Sequence, residues 1–87
     1  MSKLARFRVV YDEEASKFII AQGKRKRRKL ADICYTIAAH PFAEPDYVLV
    51  DADGRPISHV ETEGYVISYW VDVPVKRIVV VEIESGN

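Results

Sequence analysis

The chain has 87 residues, enough for one domain with a modest core and too few for two. Its 48% hydrophobic and 30% charged residues exclude wholesale disorder, and thirteen basic against thirteen acidic side chains leave no net charge to select a partner. A single cysteine, Cys34, excludes an intrachain disulfide, and no apolar run nears the roughly 20 residues that cross a bilayer. Met1-Ser2-Lys3-Leu4-Ala5-Arg6 lacks the hydrophobic stretch of a secretory signal, so a cytoplasmic protein is expected.

Arg6 to Tyr11 reads as a strand, with Arg6 and Arg8 alternating against Phe7 and Val9. Asp12 suits a helix N-cap, and Glu13 and Glu14 suit the positive end of the dipole that follows. A first helix runs through Ala15, Phe18, Ile19 and Gln22, its buried face, to Gly23, expected as a left-handed C′ residue. A second helix carries Leu30, Ile33, Cys34, Ile37 and Ala38 as one apolar stripe, with Cys34 a small core residue. His40-Pro41 stops it, His40 serving as C-cap.

After the loop 42–46, Tyr47 to Val50 reads as a strand, Asp51-Ala52-Asp53-Gly54 as a turn, and Arg55 to Thr62 as a strand irregular at Pro56. Glu63-Gly64 turns tightly into Tyr65 to Val71, the strongest strand by composition. A turn at 72–75 leads to a last strand from Arg77 to Glu84, and Ser85-Gly86-Asn87 reads as a frayed end. The order β-α-α-β-β-β-β predicts an α+β domain spanning residues 1–87. Its two helices form a hairpin on one face of a mainly antiparallel sheet, and the other face is left open.

Charge is unevenly spread. Lys24, Arg25, Lys26, Arg27, Arg28 and Lys29 are consecutive, whereas acids dominate beyond residue 43. Cations at a helix start oppose the dipole by about 0.3–1 kcal/mol each, and this local cost suggests a polyanion or partner-binding patch. The plainer alternative is a solvated helix start and inter-helix turn. On the sheet, strict alternation points Tyr65, Ile67, Tyr69 and Val71 to the core. Val66, Ser68 and Trp70 then face outward, beside His59, Glu61, Glu82 and Glu84. His59 with Glu61 is the pair able to do acid–base chemistry; the alternative is a cross-strand hydrogen bond or ion pair. Two ligands are too few for a structural zinc site, so neither metal nor cofactor is expected. An outward Trp70 marks either a contact surface or a residue packed under a loop.

Several short stretches occur in the order found in the RelE/ParE toxin superfamily. Phe7 to Ala15 resembles its opening strand and helix start, and Lys29 to Pro41 its second helix with a His-Pro stop. Gly64-Tyr65-Val66-Ile67-Ser68-Tyr69-Trp70-Val71-Asp72 is similar to its central strand, and Ile78 to Ile83 to its last aliphatic strand. The resemblance implies a toxin with a cognate antitoxin as partner. The target would be RNA on the ribosome or DNA gyrase.

Departures from the family pattern imply a change in chemistry. Val66 stands where an arginine usually follows Gly-Tyr, and His59 and Glu61 stand at positions that are usually basic. An apolar, acidic face repels a phosphodiester. The expectation is therefore a toxin-like protein acting by binding: an antitoxin around Trp70, and an acidic or nucleic-acid target at Lys24–Lys29. One alternative is a ribosome-dependent mRNA endonuclease using His59, with phosphate contacts from Arg55, Lys76 or Arg77. Another is a non-toxic interaction module, and the open face also permits a homodimer.

Overall fold

A computed structural model describes residues 7–86. Arg6, expected in the first strand, the stretch 1–6 read as lacking a secretory signal, and the terminal Asn87 lie outside the described residues. The elements are β1 (Arg8–Tyr11), α1 (Glu13–Ile20), α2 (Lys24–Ala39), β2 (Tyr47–Val50), β3 (Pro56–Thr62), β4 (Tyr65–Asp72) and β5 (Arg77–Ser85). The strands form one sheet in the order β1-β5-β4-β3-β2. From β2 to β5 the pairing is an antiparallel meander, and β1 closes the sheet by lying parallel to β5. The sheet is therefore mixed.

Both helices lie on one face, as the two consecutive helical segments require. Ala15 on α1 is fully buried, and its methyl group lets the helix approach β5 closely. From α2 the stripe of Leu30, Ile33, Cys34 and Ala38 meets Ile67 and Tyr69 of β4 and Ile78, Val80 and Ile83 of β5. Phe7, Val9 and Tyr11 add the helix-facing side of β1. The Tyr11 hydroxyl donates toward Cys34 Sγ, while burial pushes the thiol up to about 11 and the phenol higher still.

Asp12 caps α1 by accepting from the Glu13 N–H at 2.9 Å. Three sequence expectations change. Gly23 is not a left-handed C′ residue: at φ −69° and ψ 166° it is the extended N-cap of α2, and α1 already ends at Ala21. The six cations, all exposed, form the first turn and a half of α2, the solvated helix start of the plainer alternative. The end expected to fray is held, because Ser85 pairs with Tyr65 and Gly86 N–H donates to Gly64 O at 2.6 Å. The Glu63-Gly64 turn that receives it has φ of 51° and 89°, the double left-handed geometry of a two-residue hairpin. Pro56 opens β3 rather than interrupting it, so its missing N–H costs little. His40 caps α2 as expected, donating from its N–H to Ile37 O.

Candidate functional site

The face opposite the helices is uncovered. Register assigns its rows directly, since residues paired across strands share a face. One row runs Tyr47, His59, Ser68, Glu82; the next runs Glu61, Val66, Glu84. Trp70 beside Val79 forms a third. The outward set expected from strand alternation is therefore the observed one, as is the inward set of Ile67 and Tyr69 with Tyr65 and Val71 at its margin.

His59 is held on two sides. Its ring stacks on Tyr47, with centroids 4.7 Å apart and planes 7° from parallel. Nδ1 lies 2.8 Å from Ser68 Oγ, and this hydrogen bond satisfies a serine that is only 2% exposed. When Ser68 donates, the imidazole keeps its proton on Nε2. The cross-strand hydrogen bond offered as the plain reading of His59 is present, with Ser68 of β4 as its partner.

The carboxylate in the row of His59 is Glu82. Glu61 shares the face but sits in the next row, exposed, its N–H donating to Asp46 Oδ2 at 2.6 Å. Glu82 reaches this position through an irregularity in β5. Ser68 pairs with Glu82 and Tyr69 with Val80, so Val81 has no partner across the ladder. The bulge reverses the phase of β5: Ile78 and Val80 point to the helices before it and Ile83 after it. Val81 and Glu82 both turn to the open face, lining a shallow depression of about 240 Å³ with Leu49, Ile57, His59 and Ser68. The Glu82 carboxyl titrates above the ordinary carboxylate range. Burial is the main cause; Glu84 and Glu14 add repulsion, and His59 opposes it.

Cations lie away from this row. Arg55 rests over Trp70 with its guanidinium carbon 4.1 Å from the ring centroid, so the outward tryptophan is capped by a cation. Arg77 bonds Asp72 at 3.0 Å, four residues along β4 from Ser68, about 13 Å away at the rise of a strand. Lys76 sits in the preceding turn with φ 51°. Lys24 to Lys29 belong to α2; Lys29 pairs with Glu63 at 3.5 Å and Arg27 Nη1 donates to Gln22 O at 3.1 Å. Among the described residues no three His, Cys, Asp or Glu side chains come together to hold a metal, and no helix is long and apolar enough to cross a membrane.

No protein-family model and no curated protein matches the chain by sequence. Solved structures do match it. A chain of the RelBE2 toxin-antitoxin complex of Mycobacterium tuberculosis superposes with a TM-score of 0.76 at 11% identity, covering 93% of this chain and 99% of that one. The archaeal RelE-RelB complex of Pyrococcus horikoshii gives 0.70 at 14% identity, covering 95% and 98%. The isolated RelE toxin of E. coli gives 0.70 at 20% identity, covering 95% and 86%. The likeness extends over nearly the whole of each chain, and with it the strand–helix–helix–meander order read from the sequence becomes a specific architecture: this chain has the RelE toxin fold, at a sequence distance that leaves the fold as what is shared.

Proposed function

We propose that this protein is the toxin-like half of a toxin–antitoxin pair and that it acts by binding. A cognate antitoxin covers the uncovered sheet face, and the Lys24–Lys29 start of α2 meets a nucleic-acid or otherwise acidic target in the cytoplasm. The observation that carries this reading is a RelE-like fold whose uncovered face presents exposed Tyr47 and Leu49, with Trp70 half-buried under Arg55, among Glu61, Glu82 and Glu84. Exposed apolar surface on a chain this small favours a partner. Two of the three similar structures described above are toxin–antitoxin complexes, RelBE2 of Mycobacterium tuberculosis and RelE-RelB of Pyrococcus horikoshii. Carboxylates around His59 disfavour a phosphodiester there, whereas six exposed cations on one helical turn and a half favour one.

A second reading is an endoribonuclease. The Ser68–His59 hydrogen bond favours it, because it fixes the ring as a general base requires. In this reading Glu82, not Glu61, is the carboxylate beside the base.

Induced expression decides among these. Binding-only action is expected to arrest growth in a way that survives His59→Ala and disappears when Lys24–Lys29 are replaced by Ser and Gln. Co-expression of the product of the adjacent gene should restore growth. If the chain cuts ribosome-bound mRNA and His59→Ala does not, the nuclease reading replaces the binding one. A chain that arrests nothing is a non-toxic interaction module on the same fold.

A further inference from the structure

We propose that the start of α2 enters the major groove of double-stranded DNA and grips both phosphate backbones without selecting a sequence. The inference rests on the reading that Lys24–Lys29 meets an acidic target, and it names that target.

The six cations go all the way round the helix, because 3.6 residues complete a turn. Lys24, Arg25, Arg28 and Lys29 turn away from the apolar stripe of α2. Lys26 and Arg27 fall on the same side as Leu30 and Cys34, both fully buried, yet they are exposed themselves. The core therefore stops short of this turn and a half, a length of about 9 Å at the helical rise. Between it and the end of the sheet lies an open depression of about 320 Å³, lined by Arg25, Lys26 and Lys29 with Glu63, Tyr65 and Ser85. Lys29 pairs with Glu63 there, and among the described residues the other five cations make no ion pair.

Charge on every side selects a partner with anions on two sides. A flat anionic surface, whether lipid or acidic protein, reaches the outer cations and leaves Lys26 and Arg27 unneutralised. The major groove of B-form DNA is about 12 Å wide and about 8.5 Å deep, with a phosphate backbone along each wall. Those dimensions match a helix about 10–12 Å across whose free end is about 9 Å long. The major groove of an RNA duplex is too narrow to admit one. Single strands are held by stacking bases on aromatic rings, and the stretch 24–29 has no aromatic residue. Gly23 supplies no side-chain cap, so the first amides of α2 and the positive end of its dipole also face the groove. Acids dominate beyond residue 43, and this asymmetry orients the basic end toward a polyanion.

The test uses the intact protein and a labelled DNA duplex of roughly 20 mixed base pairs, followed by fluorescence anisotropy. With about four cations on phosphates, affinity should fall about 100-fold between about 50 and about 200 mM salt. Lys24→Gln with Arg28→Gln removes two outer charges, and Lys26→Gln with Arg27→Gln removes the two on the core side. Each pair should weaken binding at least about tenfold without lowering the urea midpoint. An RNA duplex and a DNA single strand of the same sequence, and phosphatidylserine vesicles, should bind at least about tenfold more weakly than the DNA duplex. An effect confined to the outer pair would mean a flat partner and overturns the proposal. So does RNA, single-strand or vesicle binding that equals duplex binding, or a duplex affinity indifferent to salt. Growth arrest that depends on Lys24–Lys29 without duplex binding would sink this inference and leave the toxin reading standing; duplex binding by a chain that arrests nothing would do the reverse.

Discussion

β5 and β2 are built from the same kinds of residue and live in opposite surroundings. Ile78, Val79 and Val80 of β5 are buried between β1 and β4, with the helices on one face. Tyr47 to Val50 of β2 are equally apolar and stand in solvent on three sides. The hydrophobicity of a strand says that it must be covered, not what covers it. In β5 the cover is this chain. In β2 the cover has to come from elsewhere, and the most apolar exposed surface then coincides with the proposed partner site.

Substitution should separate the two strongly. Ile67→Ala, beneath the helices, is expected to cost about 2–5 kcal/mol in urea unfolding, whereas Leu49→Ser at the edge should stay within about 0.5 kcal/mol. Comparable losses at both positions would mean that β2 is covered in the free protein. Next in size is the thiol under α2. Cys34 is buried and its pKa is raised to about 11, so alkylation at neutral pH should be at least about 100-fold slower in the folded protein than in urea. Fast labelling would show that the covered half opens readily.

Smaller effects test the charges. Replacing Arg25 and Lys26 by glutamate in the first turn of α2 should raise stability by about 0.3–1 kcal/mol per site at low salt, with the gain shrinking as salt is added. The smallest change is at Glu82. Its folded pKa lies above its unfolded value, so the folded state binds the proton more tightly, and stability is lost as pH rises through that window. Glu82 is exposed and screened by solvent, so Glu82→Gln should stabilise only slightly at pH 7, and the gain should vanish below the ordinary carboxylate pKa. A gain that persists in acid would assign the effect to packing.

Much of this was legible in the residues. The stripe from Leu30 to Ala38 and the alternation in β4 fixed what faced the helices, because both periodicities are local. The parallel pairing of β1 with β5 was not, since nothing in either strand names its neighbour. The bulge at Val81 left a trace that strict alternation hides. Ile78 and Val80 share even numbering with Glu82 and Glu84, and one continuous strand cannot bury the first pair while exposing the second. The outward placing of Glu82 was read correctly; what needed the register was that Glu82, paired with Ser68, shares the row of His59 while Glu61 lies in the next. The cations were legible as a helix start, but the boundary at Lys24 was not, because six cations and an uncapped glycine oppose the usual helix-start preferences. Packing of Leu30 and Ile33 overrides them.

The place of β1 bears on how the protein is made. Its one neighbour in the sheet is β5, and Arg8 pairs with Arg77 across nearly the whole length of the described chain. A contact so distant in sequence forms late, after the loop it closes has been synthesised. During translation β1, α1 and α2 emerge first and have no sheet to settle on until the meander is complete. The nascent chain therefore stays without a closed core until β5 has been made, which places the last step of folding at the C-terminal end of the described chain.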